Sequence, residues 1–107
     1  GSFFNKKEKY LFMGDMLELG EYSEFYHREI ARILKAKNYN AVFTFGEYSR
    51  FTSEESEKLG LFSSHYTDKN KMKEKLKEIL NRNALIVIKG SRKMEMEKIL
   101  EGVIDVT

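Results

Sequence analysis

The chain has 107 residues, enough for one domain and too few for two. Lys+Arg total 19 and Asp+Glu 17, a formal charge of +2 that excludes a strongly basic nucleic-acid arm or an acidic tail, so no nucleic-acid partner is expected. Zero cysteines exclude a disulfide scaffold, a thiolate metal site and a cysteine nucleophile in this sequence, and no apolar run approaches the ~18 residues of a membrane span.

Gly1-Ser2 reads as a cloning remnant, which leaves residues 3–107 as a single domain cut from a longer protein. With 41% hydrophobic residues the chain can build one core, and with no proline its punctuation falls to Gly, Asn, Asp and Ser. Tyr10-Leu11-Phe12-Met13, stopped by Gly14-Asp15, predicts a buried strand. From Tyr22 the apolar residues fall at Tyr22, Tyr26, Ile30, Ile33 and Leu34, the spacing of a helix, supported by an i,i+4 pair of Glu24 with Arg28. Asn38-Tyr39-Asn40 breaks that helix, and Ala41 to Phe45 forms a second strand ending at Gly46.

Thr52-x-x-Glu55 has the pattern of a capping box, predicting a short helix that runs to Leu59 and stops at Gly60. Phe62 to Tyr66 is a third strand, half polar and suited to an edge. Asp68 then caps a lysine-rich helix with Met72, Leu76, Ile79 and Leu80 on one face; its five lysines read as a solvated surface. Ala84 to Ile88 is apolar without alternation, the mark of a strand covered on both faces. Met96, Ile99, Leu100 and Val103 predict a last helix, and Ile104-Asp105-Val106 either adds a short strand or frays. Strand and helix thus alternate four times. That order predicts an α/β, Rossmann-like, three-layer domain: a mostly parallel sheet of four to five strands flanked by helices, in the order 3-2-1-4.

In such sheets ligands bind beyond the carboxyl ends of the strands. Three strands end alike there, at Gly14-Asp15, Gly46-Glu47 and Gly90-Ser91, which suggests a binding rim. Arg50 and Arg92, each just after such a glycine, are two-pronged donors for a carboxylate or phosphate. The phosphate loop G-x-x-x-x-G-K-[ST] is missing, and Gly14 and Gly20 do not make G-x-G-x-x-G. Asp15 lacks the acidic companions of a phosphoacceptor site. His27 and His65 have no second ligand at metal spacing and read as surface or half-buried histidines. The residues alone predict a small anionic ligand on the rim and go no further.

The run Gly14-Asp15-Met16-Leu17-Glu18-Leu19-Gly20-Glu21-Tyr22-Ser23, followed by Tyr26-His27-Arg28-Glu29, resembles the C-terminal domain of the D-alanyl-D-alanine-adding Mur ligases, the MurF family. Val42 to Gly46 and Ile88 to Arg92, followed by Met94 to Glu97, resemble two later stretches of that domain. The resemblance implies a closure domain of a three-domain enzyme of bacterial peptidoglycan synthesis, cytoplasmic, that uses ATP and magnesium mainly outside this fragment. In that enzyme a tripeptide carboxylate becomes an acyl phosphate, and the amine of D-Ala-D-Ala attacks it. The partners implied are UDP-N-acetylmuramoyl-tripeptide, D-Ala-D-Ala and the enzyme's own central ATPase domain.

By position, the resemblance assigns Glu47, Ser49 and Arg50 to an acceptor-recognition loop and Lys89, Ser91 and Arg92 to another. Asp15 and Glu18 lie on the loop after the first strand, where either suits an ammonium group. Lys93 departs from the glycine that the family carries after its Ser-Arg pair. No catalytic residue and no metal ligand is assigned to this fragment, which by itself is expected to be inactive. Two other readings fit the same residues: a non-catalytic binding module, and the C-terminal domain of another Mur-type ligase.

Overall fold

The four apolar runs become the four strands of one parallel sheet in a computed structural model that describes residues 7–104. β1 (Glu8–Gly14), β2 (Ala41–Phe45), β3 (Phe62–Tyr66) and β4 (Ala84–Lys89) stand in the order β3-β2-β1-β4. Phe12 of β1 lies opposite Phe43 of β2 and Ile88 of β4, while Phe43 lies opposite Ser64 of β3. The expected α/β architecture, strand order and polar edge strand are all present. The chain runs from β1 out to β3 and then returns to place β4 on the other side of β1, so the direction of winding reverses between β1 and β4.

Alternate residues of β1 supply two cores, as the period of a strand requires. Leu11 and Met13, with Val42, meet Ile30 and Leu34 of α1 (Ser23–Ala36) and Leu61. Tyr10, Phe12 and Phe43 meet Met72, Leu76 and Ile79 of α3 (Lys69–Ile79), with Met96 and Ile99 near the C-terminus. Phe12 and Phe43 pack with ring centroids 4.8 Å apart, and Phe12 is fully buried. Replacing such a residue with alanine costs about 3–5 kcal/mol. Asp68 caps α3 as predicted, its carboxylate accepting the Asn70 N–H at 2.8 Å.

Four sequence expectations give way. First, α1 does not bury Tyr22, Tyr26 and Ile33, which are 66%, 39% and 52% exposed; it buries Ser23, His27, Ile30, Ala31 and Leu34. Both ring nitrogens of His27 find partners inside while the Ser23 hydroxyl is buried with none among the described residues, so the helix turns a smaller and more polar face inward than its hydrophobic spacing suggests.

Second, the capping box does not form. α2 (Ser49–Lys58) begins three residues before Thr52, which lies buried inside the helix and donates to the His27 carbonyl at 2.6 Å. Glu55 instead pairs with Arg28 at 3.3 Å and Arg32 at 3.2 Å, tying α2 to α1. Third, β4, at the edge where the expected order puts it, is not covered on both faces. Leu85 remains 48% exposed, because α1 and α2 pack on the sheet's β1–β2–β3 side.

Fourth, the C-terminal segment is not an α-helix. It is a pair of 3-10 turns, Arg92–Met94 and Met96–Leu100, separated by Glu95 in the left-handed region at φ 47°. Spacing of i, i+3 fits both kinds of helix, and the turns still bury Met96 and Ile99. Ile104 forms part of a bend; the expected strand or fraying at Asp105-Val106 and the remnant at Gly1-Ser2 lie outside the described residues.

Candidate functional site

Where the winding reverses, the loops after β1 and β4 enclose an open cleft of about 820 Å³ lined by Leu17, Glu18, Ser91, Arg92, Lys93 and Glu95. Two hydrogen bonds of Ser91 build its floor. The Ser91 hydroxyl accepts the Leu17 N–H at 2.7 Å, and the Ser91 N–H donates to the Asp15 carbonyl at 2.9 Å. The Ser91 hydroxyl keeps its own proton free to donate. Arg92 and Lys93 are exposed and have no ion-pair partner among the described residues, whereas Glu18 and Glu95 bring carboxylates to the same cleft. Glu95 also pairs with Lys98 at 3.1 Å, and its carbonyl and that of Met94 accept from Lys69 at the start of α3. A cleft with a cationic and an anionic wall suits a zwitterion: a small molecule carrying both a carboxylate and an ammonium group.

Of the residues singled out from the sequence, the fold brings Glu18, Ser91 and Arg92 together. Lys89, exposed at the end of β4 opposite Met13, stands beside them without lining the cleft. Asp15 is 4% exposed, and one carboxylate oxygen accepts the N–H groups of Tyr48 at 3.1 Å and Ser49 at 2.7 Å. It is therefore the cap of α2, supplied from the loop after β1, and not an exposed lure for an ammonium group. Ser49 is fully buried and its hydroxyl has no partner among the described residues, so it faces the interior rather than a ligand.

Glu47 is exposed in a second, smaller cleft of about 270 Å³ with Phe45, His65, Tyr66 and Thr67, at the ends of β2 and β3. Arg50 lines neither cleft; it pairs with Glu54 at 3.1 Å and stacks 4.4 Å from the Phe51 ring. The three rim glycines serve internal packing. A side chain on Gly46 would lie 2.6 Å from the Asp15 carboxyl carbon, and one on Gly14 or Gly90 would press into Met96.

Leu17, Lys93 and Glu95 were missing from the sequence reading of the site. Only a knowledge of which loops meet could have found them, since none stands in a recognisable spacing. The two histidines also separate. His27 is fully buried, against the expectation of a surface or half-buried residue, because both ring nitrogens are hydrogen-bonded inside. His65 is exposed on the edge strand and bonded to Thr44 at 2.7 Å; partial burial of its ring, aided by Arg50 and opposed by Asp15 and Glu54, holds its pKa below the usual histidine value.

No protein-family model matches the chain. It is 34% identical over 104 residues to the UDP-N-acetylmuramoyl-tripeptide–D-alanyl-D-alanine ligase of Bacillus subtilis (strain 168), a match covering 92% of this chain and 22% of that protein. The chain is a relative of the MurF ligases. MurF from Acinetobacter baumannii superposes with a TM-score of 0.78 at 20% identity, over 92% of this chain and 22% of that one, a likeness of fold. MurF from Thermotoga maritima in complex with ADP gives 0.63 at 25% identity, over 90% and 21%.

The chain thus spans about a fifth of the length of its MurF relatives, at 22% of the Bacillus subtilis protein. The sequence has no phosphate loop, and among the described residues no group of three His, Asp or Glu side chains is placed to hold a metal ion. Among the same residues no helix is long and apolar enough to cross a membrane.

Proposed function

We propose that this chain is the C-terminal, acceptor-binding and closure domain of a cytoplasmic ATP-dependent ligase that adds D-Ala-D-Ala to UDP-N-acetylmuramoyl-tripeptide. The observation that carries this reading is the convergence of Glu18, Ser91 and Arg92, from two loops 70 residues apart in sequence (roughly), in one cleft at the reversal of winding. ATP and its magnesium are assigned mainly to the remainder of the enzyme, which supplies the activated carboxylate.

In this cleft Arg92 binds the acceptor carboxylate through its planar fork, with Ser91 donating a hydrogen bond. Glu18 draws in the ammonium end, and the amine loses its proton before it attacks. Holding the carboxylate end fixes the orientation of the amine, which is the main service a binding domain renders to an amide ligase. Arg50 and Glu47, on the neighbouring segment, are assigned a weaker part because Arg50 must leave Glu54 before it can bind anything else.

The test is an amide-shift titration of the chain with D-Ala-D-Ala in the millimolar range. Shifts centred on 17–18 and 91–95 that vanish in Arg92→Ala support the reading. Shifts that lie elsewhere, or that survive in Arg92→Ala unchanged, overturn it. In the complete ligase the same variant raises the acceptor KM by about tenfold, the effect of one exposed charge-assisted hydrogen bond.

A further inference from the structure

The loop between β1 and α1 forms one wall of the cleft, and two of its N–H groups are held by side chains from distant elements. The Ser91 hydroxyl takes Leu17; His27 of α1 takes Met16. The chemistry of His27 is fixed by its neighbours. Its Nδ1 lies 2.7 Å from the Ser23 carbonyl oxygen, which can only accept, so Nδ1 carries the proton. Nε2 is then a lone pair, and the Met16 N–H donates to it at 3.0 Å. The ring is fully buried, and the His27 carbonyl is itself anchored by Thr52 of α2.

A leucine or methionine would fill the same space, but it would leave the Met16 N–H without an acceptor. Between this pin and the start of α1, Glu18 sits at φ 67°, a conformation that a residue with a side chain keeps only when its surroundings impose it. We propose that His27 is a positioning residue: through its Nε2 lone pair it fixes residues 16–18 so that Glu18 stands across the cleft from Arg92. As a statement about the loop this stands alone, and as a statement about the acceptor it rests on the function proposed above.

Two conservative variants separate positioning from mere filling of the core. A glutamine amide reaches the place of Nε2 and can accept from Met16, while an asparagine amide reaches only the place of Nδ1 and can serve Ser23. In amide hydrogen exchange on the chain, His27→Asn is expected to speed exchange at Met16 and Leu17 by about tenfold or more, with the sheet unaffected. His27→Gln is expected to stay close to the native protection. Native protection of Met16 and Leu17 in His27→Asn, or equal behaviour of the two variants, overturns the proposal.

Should the asparagine variant fail to fold, the ring nitrogen shifts of the unaltered chain decide. An Nδ1–H tautomer with an accepting Nε2 supports the pin, and an Nε2–H tautomer overturns it. D-Ala-D-Ala then tests the acceptor half: weaker binding in His27→Asn and native binding in His27→Gln support positioning, and equal affinities with a loosened loop overturn it. If the unaltered chain takes no D-Ala-D-Ala while His27→Asn still loosens the loop, the pin is upheld and the proposed function is what fails.

Discussion

The loops after β2 and β4 begin alike, with a glycine at the strand end and an arginine soon after, yet they have opposite fates. The first turns inward: Gly46 lies against the Asp15 carboxylate, Tyr48 and Ser49 donate to it, Ser49 is buried, and Arg50 is paired with Glu54. The second turns outward. Gly90 and Ser91 join it to the β1 loop, while Arg92 and Lys93 stand exposed at the cleft. An arginine near a rim is therefore only a candidate. Its availability depends on the carboxylates nearby, and Glu54, one helical turn on, removes Arg50 from easy use.

The largest expected effect breaks the inward loop. Gly46 has φ 118°, and a side chain there collides with Asp15, so Gly46→Ala should lower unfolding stability by about 3 kcal/mol or more. An unchanged urea midpoint would show that Asp15 and the loop can move apart at no cost. Next comes Asp15→Ala, which leaves the Tyr48 and Ser49 N–H groups without their acceptor and should cost about 2–3 kcal/mol. Asp15→Asn, which keeps a carbonyl oxygen in place, should recover much of that loss; if it recovers none, the carboxylate charge at the start of α2 is what matters.

The arginines themselves sharpen the contrast in the complete ligase that the proposed function implies. Arg92→Ala should raise the acceptor KM by about tenfold, and Arg50→Ala by less than about twofold. Steady-state kinetics with the reverse order would exchange the roles assigned to the two loops.

The smallest effect is read at His65. Its pKa is depressed in the folded chain, so this group's contribution to stability is fully present above the ordinary histidine value of about 6.5, and it is lost as pH falls from there through the lower folded value. Because Arg50 adds to the depression, Arg50→Ala should raise the His65 pKa, whereas Arg92→Ala should leave it alone. A proton NMR titration in which Arg92→Ala moves His65 as far would contradict the separation of the loops.

Local pattern was enough for much of the fold. The four apolar runs, their polar edge member and the Asp68 cap depend on residues within a few positions of one another, and the order β3-β2-β1-β4 agrees with a half-polar third strand at the edge of a parallel sheet. The same locality explains the failures. Thr52-x-x-Glu55 looks like a cap because a cap is normally close in sequence, but α2 takes its cap from Asp15, more than thirty residues earlier. His27 looks like a surface residue because nothing nearby in sequence offers its Nε2 a donor; Met16 does so only once the β1 loop folds back over α1.

By itself the sequence determined the order of strands and helices, the sheet order and the kinship with MurF over this domain. Only the tertiary structure decided which rim residues share a cleft. It joined Glu18 to Arg92 and buried Asp15 and Ser49, because burial and hydrogen-bond satisfaction depend on contacts between loops that are far apart along the chain.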